Sequence, residues 1–245
     1  MKGGVSNIIE FADPAVEALC LANWDNNKDG YLTRIEAAGV ASLGTVFKGN
    51  TEITSFDELN EFTGLTSIAN NAFYGCTNLN SVSLPESVTH IGEMAFRESG
   101  LLNCNLVLKN ITSVEPGAFY GTKVRSIIMP DVVTVNGAYN EVYRTFAKCA
   151  NLEYVLFGKT VTNIAPYIFS DSRQNTIIVL AETPPTFNGD SFGYSGAVQS
   201  IYVPDSSETA YEGATNWSSY ASMIKPLSQL ATDNPSLYEE ISEYL

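Results

Sequence analysis

Residues 25–36 read Asp-Asn-Asn-Lys-Asp-Gly-Tyr-Leu-Thr-Arg-Ile-Glu. Oxygen-bearing side chains stand at the first, third, fifth, ninth and twelfth places of this loop: Asp25, Asn27, Asp29, Thr33 and Glu36. Tyr31 at the seventh place offers its main-chain carbonyl, and Gly30 at the sixth permits the sharp turn that lets the oxygens face one point. A hard divalent cation wants roughly six to eight oxygens, with a bidentate carboxylate at the twelfth place. Calcium is therefore the expected cofactor, held by Asp25, Asn27, Asp29, Tyr31, Thr33 and Glu36.

Two helices must position such a loop. Pro14 to Trp24 carries Val16, Leu19, Cys20 and Trp24 at helical spacing, and a second helix begins within Thr33 to Val40. Leu32, at the eighth place, can anchor the loop in a core. The unit resembles an EF-hand, and equally one half of a dockerin-type module. Sensor loops come in pairs and only one is visible in this sequence, so a structural cation site is expected rather than a switch, and cohesin binding is not carried over.

Other chemistry finds little support. His90 is the only histidine, and it lies between Thr89 and Ile91 without a serine elbow or cysteine partner, so a histidine-based triad has nothing to build on. Cys20, Cys76, Cys104 and Cys149 form no Cys-x-x-Cys pair, which argues against a zinc or redox centre. The 27 acidic residues permit paired-carboxylate chemistry, but no pair is marked out. There is no glycine-rich phosphate loop. The sequence reads as that of a protein that is not an enzyme.

A net charge of -14 and a pI near 4.4 repel polyanions, excluding nucleic acid and anionic membrane as natural partners. No apolar run reaches the roughly 18 residues of a membrane span, which predicts a soluble chain. The opening Met1-Lys2-Gly3-Gly4 lacks the apolar core of an export signal and differs in character from the residues after it, so removal of such a signal is compatible with it.

The rest of the chain is periodic. Phenylalanine follows a small residue or its equivalent at Ala72-Phe73, Ala95-Phe96, Ala118-Phe119, Thr145-Phe146, Ile168-Phe169 and Ser191-Phe192, in steps of 23, 23, 27, 23 and 23. Ahead of each phenylalanine lies a period-two alternation whose inward members are Val82/Leu84, Leu106/Leu108, Ile127/Met129, Val155/Phe157, Ile178/Leu180 and Ile201/Val203. Between strand and phenylalanine comes a turn with further apolar positions, such as Val88 and Ile91 or Val161 and Ile164. Units of this kind cannot bury an apolar side alone, so they stack into a solenoid that needs caps at both ends. Ile53, Phe56, Leu59, Phe62, Leu65 and Ile68 mark an irregular first coil; Tyr211, Trp217, Tyr220 and Ile224 can close the other end. Extra residues around Asn136 to Tyr143 predict a bulging loop, and residues 230–245 a short helix or frayed tail.

The pattern running from Asn78 to Phe96, Asn-Leu-Asn-Ser-Val-Ser-Leu-Pro-Glu-Ser-Val-Thr-His-Ile-Gly-Glu-Met-Ala-Phe, resembles the BspA-like leucine-rich repeat of bacterial surface proteins, over roughly residues 53–225. The expected fold is an α+β repeat solenoid: a leucine-rich-repeat stack with one short strand per ~23-residue repeat, preceded by a small helical EF-hand-like cap. The expected division is 1–52 for the cap, 53–204 for the repeats and 205–245 for the C-terminal cap and tail. The resemblance implies an extracellular or cell-surface recognition or adhesion module that binds host or microbial protein or glycan. The alternative is a structural spacer or self-associating component.

Where a ligand would sit is read from the strands. The residues between the inward pairs should face outward: Ser83, Val107, Ile128, Leu156, Val179 and Tyr202, flanked by a second column that includes Tyr154. Most are apolar, and an apolar ridge on a solvent face marks an interaction site unless the chain's own tail covers it or strand propensity alone selects it. The candidate partner-binding residues are Val107, Ile128, Tyr154, Leu156, Val179 and Tyr202. Tyr74, Tyr120 and Tyr194, just after the repeat phenylalanines, are candidates for aromatic contacts along another edge.

Overall fold

The computed structural model describes residues 7–101, 105–187, 192 and 198–245. Its N-terminal part is a helix–loop–helix, α1 (Pro14–Trp24) and α2 (Arg34–Ala38). Asp13 caps α1 through Oδ1, which accepts from the Ala15 and Val16 N–H groups, and Pro14 fills the first turn, where no N–H is needed. Thr33 and Glu36 form a reciprocal capping box on α2.

The strands after this unit are two to four residues long. In chain order they are β1 (Ser55–Phe56), β2 (Ser67–Ile68), β3 (Ser81–Val82), β4 (His90–Ile91), β5 (Asn105–Val107), β6 (Ser113–Val114), β7 (Ser126–Met129), β8 (Thr134–Val135), β9 (Tyr154–Phe157), β10 (Asn163–Ile164), β11 (Thr176–Val179), β12 (Thr186–Phe187), β13 (Ser200–Val203) and β14 (Ile224–Pro226). They form two parallel six-stranded sheets, β2-β4-β6-β8-β10-β12 and β5-β7-β9-β11-β13-β14, with a separate β1-β3 pair. Each coil thus contributes two strands where the sequence announces one. The segments read as turns, around Val88/Ile91 and Val161/Ile164, zip to their neighbours because their main-chain groups must be paired somewhere. Two residues are too few to show a period.

Between the sheets runs one core, continuous from Ile9 to Ile224. Its spine is a phenylalanine ladder with centroid spacings of 5.3 Å for Phe47–Phe73, 5.1 Å for Phe73–Phe96, 5.3 Å for Phe96–Phe119, 5.6 Å for Phe119–Phe146, 5.3 Å for Phe146–Phe169 and 6.3 Å for Phe169–Phe192. Main-chain bonds run beside it from coil to coil, as from Phe96 N–H to the Ala118 carbonyl (2.8 Å) and from Phe146 N–H to the Ile168 carbonyl (2.8 Å). The ladder begins at Phe47, which the spacing rule did not single out. Three residues after each of five ladder phenylalanines stands a small buried Cys76, Ser99, Thr122, Cys149 or Ser172. Several return to main-chain carbonyls: Cys76 Sγ donates to Phe47 O (3.0 Å), Thr122 Oγ1 to Phe119 O (2.9 Å) and Ser172 Oγ to Phe146 O (2.6 Å). Burial pushes the Cys76 and Cys149 thiols up to about 11, which keeps them protonated packing groups. Cys104 lies outside the described residues.

Aromatics close both ends. At the front, Trp24 packs edge-on to Phe62 (5.5 Å) and lies 6.2 Å from Phe47. Asp13 ties the helical unit to the first coil: its Oδ2 accepts from the Thr54 N–H (2.6 Å) and hydroxyl (2.8 Å). Burial pushes this carboxyl up, but the Thr54, Ala15 and Ser55 hydrogen bonds outweigh burial and hold it below the usual carboxylate range. At the back, after α3 (Glu208–Gly213), Trp217 packs on Tyr211 (4.9 Å) and Phe192 (5.5 Å). Their polar tips are satisfied by Pro185 O and Ala181 O. The chain then crosses back as α4 (Leu230–Asp233) and α5 (Pro235–Ile241).

Candidate functional site

Three regions bear on function: the oxygen-rich loop, the outward ridge of the long-strand sheet, and the edge that carries the phenylalanine turns.

In the loop, Gly30 adopts φ 87°, a left-handed backbone that glycine accepts without a Cβ penalty, and its N–H donates to Asp25 Oδ2 (3.0 Å). Lys28 N–H donates to Asp25 Oδ1 (2.8 Å), Asp29 N–H to Asn27 Oδ1 (2.9 Å) and Tyr31 N–H to Asp29 Oδ1 (3.0 Å). Glu36 Oε2 accepts from the Thr33 N–H (3.0 Å) and hydroxyl (2.8 Å), while Oε1 accepts from Asn26 N–H (3.1 Å). The Thr33 bonds, with smaller contributions from Asn26 and Asn27, hold the Glu36 carboxyl below its usual range. Among the described residues, no three His, Cys, Asp or Glu side chains converge as metal ligands. The donor set is chemically suited to a hard cation, yet here its oxygens serve as acceptors for the loop's own N–H and O–H groups. Leu32 is buried, as its place in the loop requires. Opposite it, Ile9 N–H donates to Leu32 O (2.9 Å) and Arg34 N–H to Asn7 O (2.7 Å), so residues 7–9 pair antiparallel with residues 32–34.

The ridge is where the structure corrects the sequence reading. Ile128, Tyr154, Leu156 and Tyr202 do face away from the main core, but they are buried, at 3% exposure or less, beneath the C-terminal helices. Leu230, Leu237 and Ile241 pack on them as a second, smaller core. Polar contacts frame it: Tyr154 OH donates to Glu240 Oε1 (2.8 Å), Tyr202 OH to Asp233 Oδ2 (2.8 Å) and Lys225 Nζ to the same oxygen (2.6 Å). Arg125 reaches Glu240 (3.2 Å), and Lys159 Nζ donates to Leu245 O (2.7 Å). Val179 is misassigned for a separate reason. In β11 the register pairs Ile177 with Val155, Ile178 with Leu156 and Val179 with Phe157, so Ile177 and Val179 point inward and Ile178 and Leu180 outward. A one-residue shift exchanges the faces of every side chain, and a run reading Thr-Ile-Ile-Val-Leu has no alternation to fix it. Of the six candidates, Val107 alone stays exposed, at 36%.

Along the phenylalanine-turn edge, Tyr74 is half-buried and Tyr120 is buried. Tyr120 lies under the Arg97 guanidinium (3.9 Å) and near Lys148 Nζ (5.5 Å), and Tyr74 under Lys48 (5.3 Å). Tyr194 lies outside the described residues. The expected bulge at 136–143 lies along this edge with a short 3-10 turn, Glu141–Tyr143, at its end. On the short-strand sheet, Glu115 Oε1 accepts from Ser113 Oγ (2.8 Å) and Asn136 Nδ2 (3.0 Å), with His90 Nδ1 3.8 Å away. That arrangement is a hydrogen-bond network across neighbouring coils.

A sequence model of the family described as BspA type leucine rich repeat region matches residues 44–140 and 140–240 in six copies. The chain belongs to that family. A comparison with curated proteins gives no match. BspA-type repeats are typical of bacterial surface proteins, and leucine-rich repeats generally mediate protein–protein interaction without catalysis. No helix among the described residues is long and apolar enough to cross a membrane. In this BspA-type stack, the ridge of the long-strand sheet is covered from β7 to β13, while the outward side chains of the short-strand sheet are polar and partly or fully exposed.

Proposed function

We propose that the chain is a cell-surface or secreted recognition module that holds a host or microbial protein or glycan on the open faces of its coil stack and catalyses no reaction. The observation that supports this reading is the single uninterrupted core from Ile9 to Ile224. Such a column fixes the spacing of side chains on the outer faces, so a partner meets a preorganised surface and binding is not opposed by ordering it. The long-strand ridge is excluded from that surface while α4 and α5 lie on it. A panel of immobilised extracellular proteins and oligosaccharides, probed with the intact chain, tests the reading. Saturable binding to at least one member is expected, whereas silence across the panel would transfer the assignment to a spacer.

The helix–loop–helix is read as a calcium-dependent clamp on the front of the stack. Asp25, Asn27, Asp29 and Glu36 would supply side-chain oxygens, Tyr31 its carbonyl and Thr33 the ninth-place contact, often made through water. Calcium should raise the thermal midpoint of the wild type. In Asp25→Ala/Glu36→Ala that rise should vanish while the repeats keep their cooperative melt, since stacked units couple mainly to their neighbours. A midpoint indifferent to calcium in the wild type would remove the metal from the proposal.

A further inference from the structure

The coil between Phe119 and Phe146 is four residues longer than its neighbours, and its extra residues are held in place from several sides. A Cβ on Gly117 would lie 2.9 Å from Val142 O, and one on Gly137 2.9 Å from Ile168 Cγ2, so two glycines admit the loop backbone against the stack. Arg97, stacked on Tyr120, donates to the Val142 carbonyl (2.6 Å). Lys148 pairs with Glu141 (2.6 Å), and Arg144 donates to the Tyr139 carbonyl (3.2 Å). On this support stands Tyr139, 67% exposed, its ring 5.7 Å from that of Tyr167 at an interplanar angle of 59°. Arg144 lies over Tyr167 at 5.2 Å.

We propose that Tyr139 and Tyr167, rimmed by Asn140, Glu141 and Arg144, form a carbohydrate subsite that takes a neutral pyranose ring. This deepens the recognition reading and rests on it. The exposed Tyr139 ring offers one flat apolar face about the size of the C–H face of a sugar, at little conformational cost, and Tyr167, inclined to it by 59° and backed by Arg144, stands beside it as a side wall. The rim supplies both donors and acceptors for ring hydroxyls. Charge argues for a neutral sugar: Arg97 pairs with Glu98 (3.1 Å) and Lys148 with Glu141, Arg144 is turned to the Tyr139 carbonyl and the Tyr167 ring, and the whole chain carries -14 and repels acidic glycans. Size argues against a protein. A stable protein interface buries about 800 Å² per partner around an apolar centre, whereas the apolar exposure on this loop is Tyr139 with the edge of Val142.

Calorimetric titration of the intact chain with cellohexaose, chitohexaose and hexagalacturonate, alongside a panel of extracellular proteins, tests the assignment. A neutral oligosaccharide should bind and the anionic one should not. Tyr139→Ala should weaken neutral-sugar binding at least tenfold with an unchanged melting profile, Tyr139→Trp should retain it, and Gly137→Val, which displaces the loop but keeps the tyrosine, should weaken it. Failure of both neutral sugars, or equal binding by Tyr139→Ala, overturns the subsite. Protein binding lost in Tyr139→Ala without sugar binding reassigns the surface to a protein. Protein binding indifferent to Tyr139, with neither neutral sugar bound, sinks the subsite alone, and silence of every probe sinks the recognition reading with it.

Discussion

The two parallel sheets are built by the same coils and zipped by the same kind of ladder, yet they meet solvent differently. On the short-strand sheet the outward column is Ser67, His90, Ser113, Thr134, Asn163 and Thr186, polar side chains left partly or fully exposed. On the long-strand sheet the corresponding positions in β7, β9, β11 and β13 are Ile128, Leu156, Ile178 and Tyr202, all buried under α4 and α5, while at the ends of the column Val107 in β5 is exposed and Lys225 in β14 partly so. The backbone is indifferent to this choice. The chemistry of the outward column decides which sheet must be covered, because apolar side chains in water are costly and hydroxyls are not. An outward apolar column in a solenoid therefore signals a cover, and the cover here is the chain itself.

The strongest way to erase the distinction is to break the core both sheets share. Phe119→Ala removes a fully buried ring between Phe96 and Phe146 and should cost ~3–5 kcal/mol by equilibrium denaturation. Loss of protection in both sheets together is the expected signature; loss confined to one would show that they are held separately. Detaching the cover separates the two sheets instead. Leu237→Ala with Ile241→Ala deletes two of its anchors, each worth ~2–5 kcal/mol. The repeats should keep their far-ultraviolet signal while the exposed ridge binds an apolar dye and self-associates in sedimentation. A variant that stays monomeric and dye-silent would mean the ridge has no need of its cover.

Of the two sheets, acid should loosen the covered one. The Lys225 and Tyr202 hydrogen bonds hold the Asp233 carboxyl below its usual range, and Tyr244 does the same for Glu243. A carboxylate whose folded pKa lies below its unfolded one, about 4, contributes stability that is complete above that value. The contribution is lost as pH falls through the lower, folded value. Methyl resonances of Leu237 and Ile241 should therefore report loosening of the helices as pH drops from 5 towards 3. Asp233→Asn should flatten that profile; an unchanged profile would place the linkage elsewhere.

Much of this architecture is legible in the sequence. Phenylalanine spacing announces the stack, the every-third-residue run from Ile53 to Ile68 announces its first coil, and Tyr211 and Trp217 announce its end. The features that escape have physical reasons. Phe47 stands 26 residues before Phe73 and follows Val46 rather than a small residue, so it fits neither the step nor the pattern. The register of β11 is lost because five consecutive residues lack alternation. The spacing of Leu237 and Ile241 shows an apolar helical face, but nothing in a linear pattern states that it lands on Leu156 and Ile178. Asp13 joins segments 41 residues apart and looks, in sequence, like any helix cap. For the oxygen-rich loop, spacing reveals the donor types; the partners those oxygens choose depend on the backbone around them.

The finest test of the comparison is a matched pair of β-branched exchanges that leave strand propensity nearly constant. Ile178→Thr places a hydroxyl in the small core under Leu230 and Leu237, where burial without a partner costs ~1–3 kcal/mol. Thr134→Val, outward on the open sheet and paired in register with Ser113 and Asn163, removes a hydroxyl already near water and should change stability by no more than ~0.5 kcal/mol. Equal costs would mean that strand pairing, not cover, sets the outward residues on both sides. A cost for Thr134→Val above that of Ile178→Thr would go further: it would mean that the short-strand sheet is the side made to stay polar, and that its open face is under the tighter constraint.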